Sequence, residues 1–544
     1  MFQSSLVETV AAVPFRPLVV VLAVVGVTIG IRRLLGRRLA TPLRRRLLLG
    51  VPWGTLLTAA GVVAIYLFVQ GAYWYGRPLV TPFRTWSYFY PTGLLLGAFT
   101  HGGIGHLVGN VMGTLVYGTV VEYAWSHYPQ RRGQSSFSSW STNPFVRILA
   151  VPVAMVVVGL FTGIFALGPI VGFSGVVFAL AGVALVLRPY LFLGALLASR
   201  VVNLVLSALQ SPEPTVGGGV QFVTPWWADI AIQGHAIGLL AGVFLGATLL
   251  WARSERPTAG RVFFATLVFA VSQGLWAIYA PVGGGRFTLF RWLGTALVFL
   301  LALLVAAGTT LTDDRLLPSF EGGWPSVAAF ALIIGLGALC VASVPANLVT
   351  IGAADVPEDG VEVRDYVVTY EEDIPNAYAA NIPVPLGGGQ NYTESGVVVA
   401  SPDREIWVTQ VPSGRLALNG RASVAVGGVG WRETVRVNRT GWAVSGNDTV
   451  YSVAVSHDET SETTFRSDPS TADGTVAGRN VTLRPAGDDF EIAVRRGNTT
   501  VASGPVPANM SEATIGGLTF ERNRSQLYVG ANDTRVPIAR ASGR

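Results

Sequence analysis

Through the first two thirds of the chain, apolar residues run together in long blocks and do not alternate with polar ones. The blocks lie at 18–31, about 47–73, 104–125, 146–166, 172–187, 190–209, 228–251, 262–281, 289–308 and 325–346. A helix needs about 20 apolar residues to cross a bilayer, fewer where tilt or flanking residues help. The pattern therefore predicts ten transmembrane spans. Beyond about residue 350 it changes. Val361-Glu362-Val363-Arg364, Arg415-Leu416-Ala417-Leu418, Val435-Arg436-Val437 and Tyr451-Ser452-Val453-Ala454-Val455 alternate with a period of two, and turn residues punctuate them at short intervals. That is the signature of strands, and it predicts a sandwich or two small β modules. The expected fold class is a polytopic α-helical membrane protein with a C-terminal, sandwich-like β-rich domain.

The polar breaks orient the spans. Arg32, Arg33, Arg37, Arg38, Arg44, Arg45 and Arg46 follow the first block. Charge on that side, with no small-residue cleavage site, fits a retained helix ending in the cytoplasm and not a signal peptide. Arg131, Arg132, Arg147, Arg188, Arg253, Arg256 and Arg261 fall on the same side by alternation, while Arg77, Arg84, Arg286 and Arg291 run against the rule. Everything after residue 350 then lies outside a cell membrane crossed many times. Eight Asn-x-Ser/Thr sequons, at Asn391, Asn438, Asn447, Asn480, Asn498, Asn509, Asn523 and Asn532, all fall in that part. Such acceptors matter only on an exported surface, so a glycoprotein tail is expected.

Composition narrows the class. Of 544 residues, 51% are hydrophobic and 13% charged, and the mean hydropathy is +0.49, which excludes a soluble globular protein. Residues 1–352 carry a net charge of +13 and residues 353–544 one of −7. The pI near 9.5 averages two unlike halves and implies no nucleic-acid partner. The single cysteine, Cys340, lies in an apolar run, so no intrachain disulfide forms. No metal site and no cofactor is expected. His457, in a Ser-His-Asp-Glu stretch, reads as a solvated loop residue.

Polar groups inside the apolar runs are costly and mark function by default. Ser174, in Gly172-Phe173-Ser174-Gly175, opens a run, and free N–H groups at a helix start can hold an oxyanion. Alone, the motif favours a packing device over a catalytic one. His235 lies in a run with Gly234, Gly238, Gly242 and Gly246 at four-residue spacing, which lets another helix approach closely. A close Ser–His pair activates a weak hydroxyl nucleophile. Asp229 is six residues from His235 and off its face, so a dyad is expected. Phe178, one turn after Ser174, is placed to pack on the imidazole. His106 and Asn110, four apart, share a helical face and can donate to an oxyanion. His101 is open between a supporting role and a structural network pinning loop 77–100. Glu122 reads as a structural carboxylate, and Arg200, within 190–209, has no assigned role.

The set His101/His106/Asn110, then Gly172-Phe173-Ser174-Gly175 opening a helix, then Gly234-His235 on a later one resembles the rhomboid family of intramembrane serine proteases. Glu122, at its offset from Asn110, is also similar to that family. The resemblance covers residues 47–252 as a rhomboid-like six-helix core. It leaves 1–46 as an extra helix and basic loop, 253–350 as three additional helices and 351–544 as the β-rich domain. It implies Ser174 as nucleophile and His235 as general base. His106, Asn110 and the Ser174 N–H are implied as oxyanion donors, with Gly172 beside them. Its partners would be the lipid bilayer and transmembrane protein substrates cut near the extracytoplasmic face. Arg84-Thr85-Trp86 is the nearest approach to the family's Trp-Arg pair, and Phe178 stands where Tyr is common. The alternative is a non-catalytic rhomboid-like protein that binds transmembrane clients. A transporter would need paired intramembrane carboxylates or a symmetric repeat, and the chain has neither.

Overall fold

The computed structural model describes residues 40–129, 133–210, 231–281, 287–310, 323–376, 393–446, 449–531 and 534–542. The expected span 18–31, Arg131, Arg132, Asp229, Arg286 and the sequons Asn391, Asn447 and Asn532 lie outside the described residues. The apolar blocks form helices α1 (Trp53–Ala64, prolonged to Val69 by a π-turn), α2 (Ile104–Trp125), α3 (Pro144–Ile164), α4 (Ser174–Leu187) and α5 (Pro189–Gln210). They continue as α6 (Ile232–Trp251), α7 (Ala259–Ser272), α8 (Arg291–Gly308) and α9 (Gly323–Asn347). Among the described residues, α2, α3, α6, α8 and α9 are long and apolar enough to cross a membrane, and the other four are shorter apolar helices. The protein is a multi-pass membrane protein.

One expected span ends early. The block 262–281 is not one helix: α7 stops at Ser272, and Tyr279–Pro281 pairs with Phe287–Leu289 in a hairpin. Gly274, at φ +72°, turns the chain, and the Leu275 N–H closes on the Ala270 carbonyl at 3.0 Å. That left-handed glycine cap stops a helix whatever the hydropathy beyond it. Arg200, from α5, donates to the Ser272 carbonyl at 2.6 Å, so the unassigned cation caps the C-terminal end of α7.

Helix α4 is the hub, buried along its whole length from Val176 to Leu187. It meets α6 at backbone distance because glycine faces carbonyl on both sides. A Cβ on Gly238 would strike the Gly175 carbonyl, one on Gly242 the Ala179 carbonyl, and one on Gly182 the Leu239 carbonyl. The glycine stripe of α6 thus brings two helices together without side chains between them.

The bundle has two distinct ends. At one, the start of α1, the end of α2 and the start of α3 meet: Arg147 donates to the Trp125 and Ser126 carbonyls at 2.7 and 2.8 Å. The end of α6 joins them through Arg253, which donates to the Ala124 carbonyl at 3.0 Å. At the other end lie the start of α4, the start of α6 and the end of α9. At 14 residues, α4 is about 21 Å long against a hydrocarbon core of about 30 Å.

The chain beyond α9 is β-rich and sits on that second end. Strands β1 (Val361–Val363), β2 (Tyr366–Pro375), β3 (Thr393–Ser401) and β4 (Ile406–Pro412) form one antiparallel sheet in that order. After a short helix, Ser413–Asn419, come β5 (Arg421–Gly428), β6 (Trp431–Val444), β7 (Thr449–His457) and β8 (Thr460–Arg466). Next are β9 (Ser470–Thr471), β10 (Asn480–Ala486), β11 (Asp489–Arg496) and β12 (Thr499–Pro505), a second four-stranded sheet. The chain ends with β13 (Ser511–Ile515), β14 (Leu518–Asn523), β15 (Gln526–Ala531) and β16 (Thr534–Ser542). An eight-stranded sheet runs β8-β7-β6-β16-β15-β14-β13, with β5 also on β6. Strand β6 is 14 residues long, alternates buried and exposed, and serves two separate cores, one around Tyr366, Val398 and Val437, the other around Trp442, Ile492 and Phe520. Three of the four alternating stretches lie in strands, in β1, β6 and β7, and the strands make two packed β units sharing one of them. The fourth, Arg415-Leu416-Ala417-Leu418, departs from its expectation as a strand: it lies in the short helix Ser413–Asn419, which a left-handed Gly420 at φ +69° ends. His457 departs from its expectation: it ends β7, half-buried, with Nε2 2.7 Å from a Glu433 oxygen. Its neighbour across the sheet, not its local sequence, decides its surroundings.

Trp86 and Tyr90, from loop 77–100, are buried in the first β core with Val349 and Ile351. Gln410 donates to Thr81 Oγ1 at 2.7 Å and Arg432 to the Arg77 carbonyl at 2.7 Å. Arg404 pairs with Asp365 and reaches Tyr90 Oη at 3.4 Å. Burial works against the Asp365 carboxylate, but the Arg404 guanidinium and the Ser401 hydroxyl outweigh it and hold its pKa below the usual range.

Candidate active site

Ser174 is the first residue of α4 and His235 lies in the first turn of α6. Close packing of these helices sets His235 Nε2 2.8 Å from Ser174 Oγ. Both residues are half-buried, so the pair is within reach of a substrate. Phe178 stacks on the imidazole, with ring centroids 4.1 Å apart and planes 11° from parallel. His235 Nδ1 is buried and has no hydrogen-bond partner among the described residues. Among the described residues, stacking on Phe178 is what orients the ring. Phe178 is in turn met edge-on by Phe269 of α7, at 5.2 Å, and Phe269 also touches Phe192 and Tyr117. Sequence reading missed Phe269, because one phenylalanine in an apolar run carries no signal of what it faces.

Donors converge beside Ser174. Gly172 has φ +132°, a region that side chains rarely adopt. A Cβ there would fall 2.5 Å from His106 Cε1 and 3.7 Å from Asn110 Nδ2, so both α2 side chains border this glycine. Asn110 Nδ2 is buried and without a hydrogen-bond partner among the described residues. An unmet buried donor costs about 1–3 kcal/mol, and one in a native site asks for a ligand. The first intrahelical bond of α4 runs from the Val177 N–H to the Phe173 carbonyl at 3.1 Å. The N–H groups of Ser174, Gly175 and Val176 precede it, as at any helix start. The arrangement presents a hydroxyl, an imidazole and several N–H donors around one point. His106 is exposed, so the cluster opens outward between loop and helix.

His101 sits behind His106, their rings 5.1 Å apart and nearly perpendicular. Its backbone, not its ring, pins the loop: the His101 N–H donates to Gln70 Oε1 at 2.8 Å and the His101 carbonyl accepts from Gln70 Nε2 at 2.9 Å. Neither ring nitrogen has a partner among the described residues.

The segment leading to Ser174 is held from four directions. The Gly172 N–H donates to the Gly97 carbonyl at 3.0 Å and the Ile170 N–H to Thr85 Oγ1 at 3.0 Å. The Leu167 N–H donates to Gln233 Oε1 at 2.9 Å, and Asn347 Nδ2, at the end of α9, donates to the Ala166 carbonyl at 2.8 Å. Thr85 lies between Arg84 and Trp86, and Trp86 Nε1 donates to the Thr81 carbonyl at 2.6 Å, so this stretch anchors its loop. Thr85, Gln233 and Asn347 carry no signal in the sequence, since contacts across 66 to 181 positions leave no local pattern.

Glu122 stands at the opposite end. Its Oε1 accepts from the Gly54 N–H at 2.8 Å and is 2.7 Å from His127 Nε2; its Oε2 accepts from the Thr55 N–H and Oγ1 at 2.8 and 2.7 Å. His127 Nδ1 accepts from the Leu48 N–H at 2.8 Å, which puts the ring proton on Nε2, facing the carboxylate. Glu122 therefore caps α1 at its N-terminus and lies apart from Ser174. His127 went unnoticed in the sequence because its partner is on the preceding helix. Among the described residues there is no group of three or more acidic, histidine or cysteine side chains suited to a metal ion.

Residues 88–252 match the family model of the Rhomboid domain. No curated protein and no solved structure matches the chain. The matched segment runs from loop 77–100 through α6 and holds His101, His106, Asn110, Gly172, Ser174, Phe178 and His235; α1 precedes it, tied to α2 by Glu122. Residues 88–252 of the chain are thus a Rhomboid domain.

Proposed function

We propose that the protein is an intramembrane serine endopeptidase that cleaves transmembrane proteins near the extracytoplasmic face with a Ser174–His235 dyad. Rhomboids act on transmembrane substrates and are mostly serine proteases, though some are inactive. The observation that carries the active reading is the 2.8 Å approach of His235 Nε2 to Ser174 Oγ, beside the unpartnered Asn110 Nδ2. His235 takes the hydroxyl proton as Ser174 Oγ attacks the scissile carbonyl, and the developing oxyanion is met by Asn110, His106 and the Ser174 N–H. His235 then delivers the proton to the leaving amine, and water releases the acyl group by the reverse path.

The orientation rests on two supports. Arg44, Arg45, Arg46, Arg147, Arg188 and Arg253 gather at the end away from Ser174, as cytoplasmic loops do. Asn498, Asn509 and Asn523, all sequon asparagines, are exposed on the β-rich part, which favours an exported surface. The boundaries 1–46, 47–252, 253–350 and 351–544 are proposed as the domain division. The test is cleavage of a transmembrane reporter in proteoliposomes. Loss of product in both Ser174→Ala and His235→Ala supports the protease. Reporter binding without cleavage by the wild type would instead identify a client-binding relative.

A further inference from the structure

Between loop 77–100 and the β-rich part lies a cleft of about 510 Å³. Arg77 and Thr81 line one wall; Gln410, Arg415, Arg421 and Arg436 line the other. Its lining contains no Asp or Glu. All four arginines are exposed, and among the described residues none of them forms an ion pair. Such a concentration of uncompensated positive charge is notable because residues 353–544 are net acidic, at −7. Among the described residues, none of the Asp or Glu side chains of this acidic part lines the cleft.

The position of the cleft identifies its ligand. Tyr73, Trp74 and Tyr75 are 68%, 61% and 53% exposed, immediately before Arg77 and at the end of α1. Trp292, 72% exposed, begins α8 at the same end of the bundle. Exposed Trp and Tyr rings sit at headgroup depth on multi-pass proteins. Arg432 lies over the Tyr75 ring, at 5.2 Å, and donates to the Arg77 carbonyl, which fastens this belt to the floor of the cleft. We propose that the cleft binds a phosphate oxyanion, supplied by the headgroup of an anionic phospholipid in the leaflet facing the β-rich part. Arginine forks match phosphate oxygens with two N–H donors each. A headgroup held there bridges loop 77–100 and the β-rich part, and adds to the direct contacts from Gln410 and Arg432.

The experiment uses the full chain in phosphatidylcholine nanodiscs doped with phosphatidylglycerol, released gently and weighed by native mass spectrometry. Wild type is compared with the triple variant Arg415→Gln, Arg421→Gln, Arg436→Gln and with a control pair, Arg496→Gln and Arg540→Gln, in the second β unit. Each arginine near a charged surface strengthens binding several-fold, so wild type and control should retain phosphatidylglycerol while the triple variant binds it at least roughly thirtyfold more weakly. Inorganic phosphate, titrated with ³¹P NMR, separates the sources. Retained lipid that phosphate does not displace supports the headgroup; phosphate binding abolished in the triple variant, with no lipid retained, supports the oxyanion site but assigns it a soluble ligand. Equal retention of lipid and phosphate by wild type and triple variant overturns the proposal, as does equal loss in the control.

Discussion

Gly172→Ala is the sharpest probe of how the donors are set. The added Cβ would lie 2.5 Å from His106 Cε1 and 2.7 Å from Nε2, whereas ordinary contact begins at 3.4 Å. Holding the backbone still, the imidazole must retreat by about 0.9 Å, the difference between those two distances. If the backbone yields instead, the Gly172 φ of +132° relaxes and the 3.0 Å bond to the Gly97 carbonyl weakens, moving the segment before Ser174. Either route moves a donor that the proposed mechanism places at the oxyanion. A displacement near 1 Å, or loss of one donor, costs about 10²–10³-fold in kcat. The assay is single-turnover cleavage of a transmembrane reporter in proteoliposomes, with Gly109→Ala as control, since that position, beside Asn110, has open space around it. Gly109→Ala should retain wild-type turnover. Gly172→Ala with kcat within a few-fold of wild type, in a folded sample, would refute the placement of His106 and Asn110 at the oxyanion.

Three further outcomes follow from the packing and the charges. Glu122→Gln puts an amide NH₂ against a backbone N–H in either orientation, because Gly54 donates to one oxygen and Thr55 to the other. Thermal unfolding should show destabilisation on the order of 3 kcal/mol, while reporter cleavage per folded molecule stays near wild type. Phe269→Leu keeps much of the side-chain volume but removes the edge-on contact to Phe178. It should cost about 1–2 kcal/mol of stability and lower turnover several-fold, measured on the same reporter, as the Phe178–His235 stack loosens. Asp365 has its folded pKa depressed, so its ion pair with Arg404 contributes stability above the unfolded value, near 3.8, and loses it as pH falls through the lower folded value. Melting of Asp365→Asn should lie below wild type at neutral pH, and the two curves should converge under strongly acidic conditions.

The helices were readable because burial in a bilayer demands long apolar runs: 104–125 returned as Ile104–Trp125. Hydropathy failed at 262–281, where one left-handed glycine ends α7 inside an apolar stretch. The pairing of Ser174 with His235 could be anticipated since the glycine spacing of α6 specifies a close neighbour, and Gly238 and Gly242 meet backbone carbonyls of α4. Phe269, Gln233 and Asn347 could not, because each acts across a tertiary contact that leaves the local sequence unchanged. Trp86 and Tyr90 are the clearest case. In the sequence they are aromatic residues of a loop between spans; in the fold they are core residues of a β unit whose nearest strand begins at Val361. His457 shows the same limit, its polar flanks concealing a partner on the neighbouring strand.

If His235 activates Ser174 as proposed, a serine-directed reagent will modify that residue. The direct measurement is intact-mass and peptide-level analysis of lipid-reconstituted protein after exposure to a fluorophosphonate, for the wild type, Ser174→Ala and His235→Ala. One adduct per wild-type chain is expected, located on Ser174, and none on either variant. A folded wild type that remains unmodified, or one modified equally in His235→Ala, would contradict that activation.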